Sequence, residues 1–136
     1  MIVAVTTEPL DLSAHERAVA RADAGAVFSF AGVVRDHDHG RAVVRLEYEA
    51  HPSAESVLKE IAAEVAADPA VLGLAVSHRV GALEIGEAAL VAAVASAHRA
   101  AAFAACARLV DEVKARLPIW KHQFFADGTD EWVNCP

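Results

Sequence analysis

The sequence predicts an α+β fold, because two hydrophobic periodicities occupy separate stretches of it. Residues 26–35 (AVFSFAGVVR) alternate with a period of two, placing Val27, Ser29 and Ala31 on one face and Phe28, Phe30 and Gly32 on the other. Val57, Leu58, Ile61 and Val65 recur at helical spacing, as do Phe103, Cys106, Leu109, Val110, Val113 and Leu117. A third stretch, AALVAAVASA at 88–97, is apolar almost throughout and reads as a strand buried on both faces.

Residues 2–6 (IVAVT) form a β-branched strand that Glu8-Pro9 breaks. Ser13 and Glu16 have the spacing of a capping box, so a helix is expected from about 14 to 22. Gly32 is expected to mark a bulge or a close backbone approach. The polar turn DHDHGR at 36–41 offers Gly40 for positive φ, and the strand AVVRLEYEA follows it, so these two strands are expected to pair as a hairpin. Ser53 is expected to cap the second helix, which Asp68-Pro69 stops. VLGLAVSHRVG at 71–81 is a strand, and ALEIGE a turn-like segment leading into the apolar strand.

The last helix is expected to start from Ser96 and to end before Pro118, with Arg99 projecting into its apolar stripe and Lys114 just off the edge. Beyond it, IWKHQFF reads as a strand, Asp127-Gly128 as a turn and Glu131-Trp132-Val133 as the return strand.

A chain of 136 residues suits one domain spanning 1–136, burying roughly two thirds of the surface its unfolded form exposes. Hydrophobic residues at 55% and charged residues at 23% exclude a disordered chain. No apolar run approaches the roughly 20 residues needed to span a bilayer, and MIVAVTTEPL has neither a basic leader nor a small-residue cleavage site, so a cytoplasmic location is expected, with no membrane partner. Twelve Lys and Arg against 19 acids, a net charge of −7, speak against a nucleic-acid partner.

Several constellations carry possible chemistry. DHDHG contains metal-ligating residue types, but a polar turn is the simpler reading. Cys106 falls on the helix stripe as a small core residue, while Cys135 could serve as a nucleophile or persulfide carrier. His98-Arg99 opens a helix, where free amides and an arginine suit an anion; His78-Arg79 is evenly balanced between a site and a surface ion pair. Lys114 and Lys121 sit among apolar sequence neighbours, which would desolvate them and adapt them to acid, base or nucleophilic roles unless their ammonium groups reach water. Arg99 and Lys114 lie about 22 Å apart along one helix, too far for one small ligand, so if both serve the same kind of site the natural arrangement is a two-fold dimer in which Arg99 of one subunit approaches Lys114 of the other.

FSFAGVVRDH at 28–37, LEYEA at 46–50, HRVGALEIGE at 78–87, SAHRAAAFAAC at 96–106 and DEVKARLPIWK at 111–121 together resemble the large, catalytic subunit family of molybdopterin synthase. The resemblance implies an α/β-hammerhead fold with an additional antiparallel β-sheet. It implies a homodimer within a heterotetramer, each end binding a small ubiquitin-like sulfur-carrier subunit. The reaction so implied inserts two sulfurs into cyclic pyranopterin monophosphate, each delivered by the carrier's C-terminal Gly-Gly thiocarboxylate, and calls for no cofactor, metal or cysteine of this chain.

Matched residue by residue, the resemblance makes Lys114 and Lys121 catalytic and gives Arg35, His98, Arg99 and Phe30 to substrate binding. Lys114 would stabilise the oxyanion at the thiocarboxylate or capture its carbon, and Lys121 would move protons. Two departures stand out: the family usually has a basic residue and a glutamate where this chain has His122-Gln123, and relatives often continue beyond the position of Pro136. The competing readings are a non-catalytic module that docks a ubiquitin-like protein and a persulfide sulfurtransferase using Cys135.

Overall fold

A computed structural model describes residues 1–133. Their elements run β1 (Ile2–Thr6), α1 (Leu12–Val19), β2 (Ala26–Val33), β3 (His37–Asp38), β4 (Arg41–Ala50), α2 (Ala54–Ala66), β5 (Gly73–Arg79), β6 (Gly81–Glu84), β7 (Ala88–Ser96), α3 (Arg99–Arg116), β8 (Ile119–Phe125) and β9 (Asp130–Val133). The class is α+β, as the two periodicities predict. One sheet has the strand order β1-β5-β7-β2, with β1 and β5 parallel and the other pairs antiparallel. The second is antiparallel: β3, β4, β8 and β9 in order, with β6 also on β4. Among the described residues no helix is long and apolar enough to cross a membrane.

Small side chains on β7 let helices seat closely on both faces of the first sheet. Residues 89–96 are all buried, as their apolar run predicts. On one face, Ala75, Ala93 and Ala95 pack with Val19 of α1. The approach is close enough that a Cβ on Gly73 would stand 2.9 Å from the Val19 carbonyl oxygen, so glycine is required there. On the other face, Leu74, Val76, Ala92 and Val94 join Leu58 and Ile61 of α2 and Leu109 and Val113 of α3 in the main core. That core extends to Leu46, Tyr48, Ile119 and Phe125, and thereby ties the second sheet to the first.

Five local expectations are corrected. The strands at 26–33 and 41–50 do not form a hairpin: β2 pairs with β7, whereas β4 pairs with β3, β6 and β8. A register shift at Gly32/Val33, the expected bulge, diverts the chain, and Val34 then bonds across to the Glu87 carbonyl at 2.9 Å. Only His37–Asp38 folds back on Arg41 and Ala42, around His39 (φ 48°) and Gly40 (φ 76°). Second, α1 is capped by Asp11, whose Oδ1 accepts from the Ala14 amide at 3.1 Å, and the helix ends at Val19. Third, the ALEIGE segment contributes a strand, β6, before its turn.

Fourth, neither Ser53 nor Ser96 makes the expected cap hydrogen bond. Ser53 occupies the N-cap position of α2 without a side-chain cap bond, its hydroxyl lying 2.8 Å from His51 Nδ1. Ser96 belongs to β7, buried with no hydrogen-bond partner for its hydroxyl among the described residues, and His98 holds the N-cap position of α3. Fifth, Phe103 is 49% exposed and Arg99 is exposed, while Ala102 and Ala105 take the inward positions. Alanines fit against the small residues of β7, and Phe103 is left at the edge, its ring 4.7 Å from Phe28 in an edge-on contact at 81°.

Candidate active site

Arg35 is distant in sequence from Lys114 and Lys121, yet all three meet at one cavity. Arg35 follows the bulge that carries the chain off β2, Lys114 lies in the last turn of α3, and Lys121 is the third residue of β8. All three line an open cleft of about 310 Å³ between the two sheets. α3 ends at Arg116 and β8 starts at Ile119, so only Leu117 and Pro118 separate the elements that carry the two lysines. Lys121 is placed in register opposite Tyr48 of β4 on one side and Val133 of β9 on the other.

The cleft's wall is partly apolar. Gly32, Val34, Leu46 and Leu90 line it, and Tyr48 and His78, both buried, meet edge-on with ring centroids 5.0 Å apart. His78 Nδ1 lies 2.7 Å from the Arg79 carbonyl oxygen. A carbonyl only accepts, so Nδ1 carries the proton and Nε2 is the bare acceptor. Burial pushes the His78 pKa down to about 4, the Lys114 charge pushes the same way, and the carbonyl bond opposes them. Near neutral pH the imidazole is therefore uncharged.

A polar group backs the cationic side. Gln123 is buried and donates from Nε2 to Asp38 Oδ2 at 2.8 Å, while Arg35 Nη2 reaches Asp38 Oδ1 at 3.3 Å. The Gln123 amide holds the Asp38 carboxyl below its ordinary range, with the charges of His39, Lys121 and Arg35 adding to the effect against a cost of burial.

Not every residue singled out in the sequence reaches this cavity. Phe30 does not line it, but its ring packs behind the wall: a Cβ on Gly32 would stand 3.3 Å from Phe30 Cε1. His98 and Arg99 lie exposed at the opposite end of α3 from Lys114. Lys121 is half-buried, but Lys114 is exposed, so the desolvation expected from its apolar neighbours in sequence does not act on it in the single chain. Cys106 is wholly buried and its thiol pushed up to about 11 by burial, a core residue as expected. Cys135 lies outside the described residues.

Tyr48 and Asp38 were not picked out by spacing, while the evenly balanced His78-Arg79 pair divides: His78 lines the cavity and Arg79 pairs with Glu87. For Tyr48 a signal existed, since Leu46 and Tyr48 share one face of a two-residue alternation. Asp38 sits in a segment whose polar composition made a solvated turn the simpler reading, and nothing local reveals its contact with a residue 85 positions away.

The fold and the cleft define a class: an α+β protein that gathers two lysines and an arginine in an open pocket between two sheets, suited to an anionic substrate. The chain belongs to the MoaE protein family, whose model matches residues 5–116. It is 39% identical over 130 residues to the molybdopterin synthase catalytic subunit of Bacillus subtilis, covering 95% of this chain and 82% of that one. The crystal structure of molybdopterin synthase from Staphylococcus aureus matches with a TM-score of 0.88 at 32% identity, over 96% of this chain and 95% of that one. A solved complex of subunits 1 and 2 of the molybdopterin-converting factor of Helicobacter pylori has the same fold, with a TM-score of 0.75 at 20% identity over 97% of this chain and 89% of that one.

Proposed function

We propose that this chain is the catalytic subunit of a molybdopterin synthase, a sulfurtransferase of molybdenum cofactor biosynthesis. It converts cyclic pyranopterin monophosphate to molybdopterin by inserting two sulfurs, each delivered as the thiocarboxylate at the Gly-Gly C-terminus of a small ubiquitin-like carrier subunit. The observation that carries this reading is the convergence of Lys114, Lys121 and Arg35 on one cleft. Family membership supports the same reaction.

In this reading Arg35 binds the substrate's phosphate through its planar fork of donors. Lys114, exposed at the rim, meets the incoming carrier tail, where its ammonium stabilises the oxyanion formed at the carboxyl carbon or its amine captures that carbon. Lys121, held in β8 deeper in the cleft, transfers protons as the cyclic phosphate opens. The neutral His78 forms part of the cavity wall. Phe30 supports the wall from behind. Sulfur arrives on the partner, so the reading assigns this chain no cofactor, and it acts as one domain, in the cytoplasm.

His98 and Arg99 are assigned to the substrate site of a neighbouring copy. They lie about 22 Å along α3 from Lys114, beyond the span of one small substrate. A two-fold homodimer, with one carrier at each end of the resulting heterotetramer, brings Arg99 of one protomer to the cleft of the other. The test is reconstitution: with thiocarboxylated carrier the chain is expected to turn cyclic pyranopterin monophosphate into a dithiolene product. Binding of the carrier with no turnover would instead identify a non-catalytic docking module.

A further inference from the structure

Asp38 stands behind the cationic side of the cleft, and the mechanism above gives it no role. It comes from the two-residue strand β3, does not itself line the cavity, and has a side chain only 14% exposed. Its two oxygens are divided between two residues that do line the cavity: Oδ1 faces Arg35 Nη2 at 3.3 Å, and Oδ2 accepts from Gln123 Nε2 at 2.8 Å. His39 Nε2 lies 3.7 Å from Oδ1 on the solvent side.

The Arg35 side chain is 64% exposed, and long exposed side chains lose rotamer entropy when a ligand fixes them. Gln123 is fixed from the other direction, within β8 and buried. A carboxylate bonded to the buried Gln123 of β8 and touching this exposed guanidinium links the arginine to the sheet. Arg35 has five N–H donors, so the contact through Nη2 leaves the others for a phosphate.

We propose that Asp38 is a positioning residue for substrate binding, which ties Arg35 to Gln123 and thereby holds the guanidinium ready for the substrate's phosphate. This rests on the functional reading above, in which Arg35 binds that phosphate. The opposite effect is also physical: a carboxylate beside an anion site repels the substrate, so removing it would tighten binding. The two effects have opposite signs and an isosteric variant separates them. Asparagine at 38 loses the charge but keeps an oxygen for Arg35, while its amide nitrogen can donate to the oxygen of a turned Gln123 amide.

Steady-state kinetics with cyclic pyranopterin monophosphate and thiocarboxylated carrier provide the test. Asp38→Ala is expected to raise KM for the pterin about tenfold, the scale of one charge-assisted hydrogen bond, with kcat within about twofold of wild type. Asp38→Asn is expected to stay within about threefold in KM. An unchanged or lower KM in Asp38→Ala, or an Asp38→Asn variant as impaired as Asp38→Ala, overturns the proposal. A second readout needs no turnover: by NMR, the Arg35 guanidinium is expected to be more ordered in the wild type than in Asp38→Ala. A wild type that is inactive but shows this difference contradicts the functional reading alone. A guanidinium equally mobile in both proteins overturns the positioning role whatever the activity.

Discussion

Burial holds the His78 imidazole at a pKa of about 4, against an ordinary value of 6.5, and this links stability to pH. The folded chain keeps His78 neutral where the unfolded chain has begun to bind a proton. The resulting stabilisation is fully present above pH ~6.5 and is lost as pH falls through the interval down to about 4. Between pH 7 and pH 5 the loss from this one group is about 2 kcal/mol. Urea denaturation at the two pH values is expected to show that difference shrinking by about this amount in His78→Gln, and an unchanged pH dependence would contradict it. Lys114 and Lys121 show how far single residues could be read. Their helix and strand positions follow from the periodicity of the sequence, but their degree of exposure depends on where the second sheet stands.

Elements with strong periodicity were legible because their patterns are set by burial on one face or two. The buried β7 follows directly from that rule, while β1 was legible from its β-branched residues, and of the two readings of Gly32, a bulge or a close backbone approach, the register shift matches the bulge. Pairing was not legible, because a strand's pattern says which face it buries and not against which neighbour. Thus β2 and β4, adjacent in sequence, went to different sheets, and β6 was taken for a turn. Caps failed for a related reason: several residues near a helix start can accept from its free amides, and Asp11 competes with Ser13. Asp11→Ala is therefore expected to cost about 1 kcal/mol in thermal or urea unfolding, and Ser13→Ala to be near neutral. The reverse order would restore the capping box at Ser13.

At the scale of the whole molecule, the cleft is assembled from both sheets and the end of α3, so the site is a product of topology. Only the resemblance spread along the chain pointed to Arg35, Lys114 and Lys121 as one set; spacing alone did not bring them together. The exposed His98-Arg99 pair makes a prediction about assembly. Mixing Arg99→Ala and Lys114→Ala protomers, each inactive, is expected to restore part of the activity in hybrids that hold one intact site. No recovery despite demonstrated subunit exchange would count against a shared site. The most direct measurement of the central claim is dithiolene formation by Lys114→Ala, given cyclic pyranopterin monophosphate and thiocarboxylated carrier. Because Lys114 is exposed and outside the core, the variant is expected to keep the wild-type unfolding transition and lose turnover by a hundredfold or more, roughly the scale of one oxyanion-stabilising group. Full activity in the folded variant would contradict the assignment of this cleft as the site of sulfur transfer.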